Sequence, residues 1–346
     1  MLKNKRRLLL NLVFLIIVFS LTLWAVFRGQ DLQAVLDGLR QADLRYVMAG
    51  LVCVLLFILG EAVILRHLLY ALGVRVRFSH CCLYSFIGFF YSSITPSASG
   101  GQPMQMVAMR KDGICLAEST VTLAIVAITY KLVLVVFALA VLCIRPAGII
   151  EYLDPVRPLL YLGIALNVVC IAAMVILVFW QGLARRLTLI LVRLWGKIRP
   201  YKNPDAVNHR FLLIFQKYEK TAGFFANHQK LILKVLMITV VQRFLLFFIT
   251  WLTYRGFALQ GHSAVTVVTL QGMIAAAADI LPLPGGMGVS ETMFLDVFRP
   301  IFGEAYILPG MMISRGISFY AQLAMGAVMT ALSGLFIREK REEQTE

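Results

Sequence analysis

Six apolar runs, each close to the roughly 20 residues that a helix needs to cross a bilayer, follow one another along this chain. They are Leu8–Phe27, Tyr46–Leu65, Glu118–Ile144, Leu159–Trp180, Leu231–Tyr254 and Ile307–Phe336. In hydrocarbon every backbone N–H and C=O must be satisfied within the protein, so such runs are read as helices. The sequence therefore describes an all-α polytopic membrane protein, a single integral membrane domain over residues 1–346. Its net charge of +15 would suggest nucleic acid if the chain were soluble. The placement of the charge explains it better, and no nucleic-acid partner is expected. Cys53, Cys81, Cys82, Cys115, Cys143 and Cys170 lie in or beside apolar runs without metal-ligand spacing, and read as small core residues. No phosphate-binding loop, kinase pattern or Cys/His metal pattern is present, so neither a cofactor nor a metal is expected.

Lys3, Lys5, Arg6 and Arg7 precede the first run, which is too long for a signal-peptide core and lacks a small-residue cleavage site. It is read as a span. Asp31–Arg45 carries Leu32, Val35, Leu36 and Leu39 on one face, the pattern of a short interfacial helix. Residues 181–230 form a basic cytoplasmic loop with room for one or two amphipathic helices against an anionic leaflet. Of the 33 Lys and Arg, 23 fall on the side assigned to the cytoplasm and seven on the other. Three (Lys131, Arg243 and Arg315) lie within spans. That bias predicts both termini in the cytoplasm, in the cytoplasmic (inner) cell membrane. Glu61 is placed near a cytoplasmic helix end. His67, His80, His209, His228 and His262 are read as surface residues near loops.

Two segments break the apolar pattern. Thr95-Pro-Ser-Ala-Ser-Gly-Gly-Gln-Pro103 follows Cys81–Ile94, an apolar stretch of only 14 residues, and helix resumes at Met104–Met109. Leu281-Pro-Leu-Pro-Gly-Gly-Met-Gly-Val-Ser-Glu291 lies inside 262–300. Each has a proline-containing approach, a Gly-Gly pair and a resuming helix, with Pro103 suited to a first turn. Basic flanks send the first unit in from the cytoplasm and back; the second follows an outward span, so it enters from outside and leaves outside by Arg299 and Glu304. The expectation is about six full transmembrane helices plus two re-entrant broken-helix hairpins related as an inverted repeat, a transporter architecture. Resuming helices would aim their positive ends at the membrane centre, where a phosphate could bind. A second reading stays open: Ala264–Leu281 has 18 residues, enough for a full span, with the Pro-Gly run in an ordinary loop.

These two segments resemble the hallmark segments of the lysylphosphatidylglycerol synthase transmembrane-region family. That family is also called flippase-domain-like and includes the membrane half of multiple peptide resistance factor. The resemblance runs from about Leu8 to Phe336 and implies a lipid translocator with two re-entrant hairpins. Family members often carry an acidic residue at the position of Gln102 and arginine at those of Gln105 and Ser290. Those departures bear on headgroup specificity. The synthase activity in the family name belongs to a separate soluble domain, which is not expected in a chain whose last span ends at Phe336.

A translocator must shelter a polar headgroup while acyl chains stay in lipid. Arg315, Arg243 and Lys131 are the candidates for phosphate, arginine being suited to a bidentate hold. Glu291 and Asp279 are candidates for a cationic headgroup or a coupling proton. Gly100, Gly101, Gln102 and Pro103 of the first break, and Pro284, Gly285, Gly286 and Gly288 of the second, would shape the site. The competing reading is that these charges only pair, for example Arg315 with Glu291, and lock the fold. The expected partner is a membrane phospholipid or another phosphate-bearing lipid, with a homodimer and a separate lipid-modifying enzyme as further partners. No nucleophile–base pair stands at recognisable spacing, so an enzyme is not expected. A lipid-modifying transferase and a non-transporting scaffold are the rival functions.

Overall fold

The computed structural model describes residues 32–95, 98–146, 148–180, 182, 186, 204–281 and 286–336. The expected first span, 8–27, lies outside the described residues, as do Pro284, Gly285 and 187–203. Every regular element among the described residues is helical.

Among the described residues four helices are long and apolar enough to cross a membrane: α2 (Leu44–Ala71), α5 (Leu116–Ile144), α6 (Arg157–Phe179, extended backwards by a 3-10 turn at Glu151–Val156) and α8 (Gln229–Gly256). At about 1.5 Å per residue, a 28-residue helix measures roughly 42 Å, more than the ~30 Å hydrocarbon layer. α1 (Leu32–Arg40) is a helix within the segment expected to form a short interfacial one. The Asp43 carboxylate caps α2 by accepting from Arg45 N at 2.8 Å, a standard N-terminal satisfaction. Asp43 N also donates to Gly256 O at 2.9 Å, which ties the start of α2 to the end of α8. The basic loop holds α7 (Pro204–Asn227), whose Ala222 and Phe225 are buried against Ile64, Leu68 and Val121.

Two helix–break–helix units stand apart from the long helices. The first is α3 (Phe78–Ser93) and α4 (Gly101–Lys111). The second is α9 (Ala264–Ala278) leading into α10 (Val289–Arg315). With 15 residues, α9 covers only about 22 Å, so it is too short to span alone. α10 bends at Gly303, where φ is 71° and the helix is interrupted. A π-helical turn, Gly316–Ala321, then joins α10 to α11 (Gln322–Phe336). The expected last span is thus interrupted by a π turn, a feature common at functional sites. The two breaks meet. Ile94 from the first, Met287 from the second and Phe319 from the π turn share one buried apolar cluster.

Close approach holds the second unit in place. α6 crosses α9 at Gly163, where a Cβ would lie 2.4 Å from Ala277 O and 2.5 Å from Ala277 Cα. Backbone atoms cannot swing aside, so this crossing needs glycine. Gly163→Val is expected to lower stability by about 1–3 kcal/mol through overpacking. The control is Gly223→Ala in α7, where nothing lies within 4 Å. Its expected effect is a melting temperature in detergent at or above wild type, since alanine suits a helix interior better.

Candidate functional site

Each break is sealed by its own side chains. In the first, Thr95 Oγ1 accepts from Gly100 N at 2.8 Å and donates to Tyr91 O at 2.7 Å. Gly101 starts α4, pressed against Gly88 O and Ser92 of α3. Pro103 sits in the first turn, and Gln102 beside it is half-buried. In the second, Gly286 and Gly288 take positive φ, 67° and 85°. Glu291 Oε2 accepts from Gly288 N at 2.7 Å and from Ser290 Oγ at 3.1 Å. Oε1 of the same carboxylate accepts from Arg315 Nε at 2.8 Å. The motif glutamate therefore satisfies the Gly288 amide at the start of α10 and locks that start to Arg315, where the π turn begins.

A second group of polar side chains lies between the two units. Asp279, directly after α9, accepts from Lys131 Nζ at 2.6 Å and from the Tyr130 hydroxyl. Lys131 also donates to Asn167 Oδ1 at 3.1 Å, and Asn167 Nδ2 donates to Ala276 O at 3.1 Å. On the side of the first unit, Gln105 Nε2 of α4 donates to Glu61 Oε1 of α2 at 2.6 Å. Arg243 of α8 stands between these two sets, within Coulombic reach of Glu61, Asp279 and Tyr130.

Arg243 differs from the other intramembrane cations. Lys131 and Arg315 each have a carboxylate partner. Arg243 is 4% exposed, makes no ion pair among the described residues, and its Nε has no hydrogen-bond acceptor. What holds it is aromatic: the guanidinium carbon lies 3.2 Å from the Tyr130 ring centroid and 5.1 Å from that of Phe57. Desolvated cation–π contacts contribute about 2 kcal/mol or more, but they leave the buried Nε–H donor unused. Its neighbour Gln242 donates to Phe57 O at 2.8 Å, which fixes the helix face that presents Arg243.

Of the residues read from the sequence, the structure joins Glu291 to Arg315 and Asp279 to Lys131, and leaves Arg243 in its ring sandwich. Glu61 corrects an expectation. α2 runs on to Ala71, past the expected end at Leu65, so Glu61 lies well inside the helix, not at its end. His80 is likewise not a plain surface residue. Its Nδ1 lies 2.7 Å from Asp112 Oδ2, which also takes the Tyr84 hydroxyl, and this closes the base of the α3–α4 unit. Gln105 stood out only as a departure from the family's arginine; Tyr130 and Asn167 went unread because a neutral polar residue in an apolar run carries no signal by itself. Tyr130 did have one, its adjacency to Lys131.

The sequence model of the family described as "Lysylphosphatidylglycerol synthase TM region" matches residues 10–326. The chain belongs to that family. No curated protein matches it.

Removing Arg315 alone would leave the Glu291 carboxylate, 4% exposed, without its counter-charge, at a cost of about 3–5 kcal/mol. Arg315→Ala is therefore expected to melt well below wild type in detergent. The double variant Arg315→Met/Glu291→Gln should recover much of the loss. Equal melting of both variants would show that the pair carries little energy.

Proposed function

We propose that this member of the lysylphosphatidylglycerol synthase TM-region family translocates a phosphate-bearing lipid across the cytoplasmic membrane. The single observation that carries the reading is Arg243, a buried guanidinium whose Nε has no hydrogen-bond acceptor, held over the Tyr130 and Phe57 rings. Guanidinium matches phosphate oxygens in a bidentate fork, and the interior around it keeps that attraction strong.

The surroundings suit an amphiphile. Leu56 and Gly60 of α2, with Met237, Val241, Gln242 and Leu245 of α8, line an open and mostly apolar groove on the flank of two spanning helices. Gly60 and Gln242 adjoin Glu61 and Arg243 in sequence. A lipid would lay an acyl chain in this groove, where hydrocarbon is its natural solvent, and send its headgroup inward to Arg243. The breaks, meeting at Ile94 and Met287, are the parts whose rearrangement would open that position to one leaflet and then the other, as re-entrant hairpins of an inverted repeat do. The termini are assigned to the cytoplasm by the Lys/Arg bias.

The test is a liposome assay with fluorescent phosphatidylglycerol and dithionite quenching of the outer leaflet. Wild type should allow quenching beyond half, and Arg243→Met should hold it at half. Arg243→Met should also keep its melting temperature, because the lost cation–π attraction is offset by the relief of an unbonded buried charge. Wild-type-like translocation by a well-folded Arg243→Met protein would remove Arg243 from the pathway. A new lipid species formed from lipid and donor would favour a transferase instead.

A further inference from the structure

The carboxylates around the breaks, Glu291 buried and Glu61 and Asp279 partly buried, are not equivalent. Asp279 is held by an ammonium and a phenol. Glu291 is held by a guanidinium, a backbone amide and a hydroxyl. Glu61 has one neutral donor, Gln105 Nε2, on Oε1. Its Oε2 accepts from no group among the described residues, and it makes no ion pair there. The groups that act on it are Gln105 from α4, Arg243 from α8 and Tyr130 from α5. No charged group of α3 or of the π turn joins them, although both pack on α2. Its negative charge therefore leans on a single cation, which it does not touch.

We propose that Glu61 takes up one proton when an anionic headgroup binds Arg243, so that lipid and proton move together. The inference rests on the translocator reading above. The argument is charge balance between a buried cation, Arg243, and a partly buried carboxylate, Glu61. Without lipid, Arg243 and Glu61 sum to zero. When a phosphodiester, which carries one negative charge, settles on Arg243, it takes the cation on which Glu61 leans and brings a second anion close. A buried uncompensated charge is costly, and a group in that position neutralises instead. A proton from water on Glu61 returns the sum to zero, with Gln105 still able to bond the protonated carboxyl. Release of the lipid on the far side restores the Arg243–Glu61 attraction and expels the proton there. Asp279 and Glu291 are unsuited to this role, because each keeps its own bonded cation throughout.

Coupling of one proton to one monoanion is electroneutral, which makes it separable from simple transport of the anion. In proteoliposomes containing fluorescent phosphatidylglycerol, a pH gradient should drive the labelled lipid toward the alkaline side. For one-proton coupling the leaflet ratio should change up to about tenfold per pH unit. A potassium–valinomycin potential at equal pH should leave the ratio unchanged. In Glu61→Gln the response to the pH gradient should vanish. A leaflet ratio that follows the potential and ignores the pH gradient overturns the coupling and leaves the translocator reading intact. A pH response that persists in Glu61→Gln overturns the assignment to Glu61. If no condition gives translocation of any phospholipid tried, the translocator reading fails and the coupling falls with it. Should Glu61→Gln not fold, wild type decides in weakly buffered detergent. Adding short-chain phosphatidylglycerol should draw about one proton per protein bound from solution, and zero uptake on binding overturns the proposal.

Discussion

Backbone freed from a helix inside an apolar bundle must find its hydrogen bonds within the protein, and the arrangement of this molecule follows from how two breaks meet that demand. Thr95 does it in the first, bonding Gly100 N on one side and Tyr91 O on the other. Glu291 does it in the second, through Gly288 N. Because Glu291 is charged, it in turn requires Arg315, and so fixes where α10 ends and the π turn begins. Asp279 closes the other side of the same break by holding Lys131 and Tyr130 of α5. The need to satisfy a few atoms thus ties α9, α10, α5 and the π turn into one unit.

Against this background Arg243 is the exception among the charged side chains described. Polar groups in protein interiors are bonded in the great majority of cases, and an unbonded one calls for an explanation. Two aromatic rings steady the cation without using its directional donors. The site is therefore organised yet incomplete, which is what a position with an exchangeable anionic occupant requires. Glu61 shares the property in weaker form, with one neutral donor where the other carboxylates have charged ones. The groove between α2 and α8 is lined by Gly60 and Gln242, the sequence neighbours of both residues.

The helical class and the positions of four long spans were legible in the apolar runs, because length and hydropathy act locally. The breaks were legible too, since Gly-Gly pairs and prolines interrupt helices wherever they occur. Boundaries were less so. α2 continues six residues beyond the expected end of its apolar run, to Ala71, because Arg66 and His67 do not stop a helix that is packed on α8. That extension moved Glu61 from a helix end to the interior. The interruption of the last span by a π turn had no sequence mark, since Gly316–Ala321 is as apolar as its neighbours.

Sequence alone determined that this chain is a multi-pass helical membrane protein with two broken units and a handful of charges in its spans. It did so because bilayer thickness, backbone satisfaction and the cost of charge in hydrocarbon are properties of the solvent, readable residue by residue. Which charges neutralise each other was decided only by tertiary structure. Lys131 and Asp279 are 148 positions apart, and Glu291 and Arg315 are 24 apart. Arg243 and Glu61 come from helices that merely pack side by side. Pairing is a matter of a few ångströms across helix interfaces, and the same six charges in another packing would leave a different one without its partner.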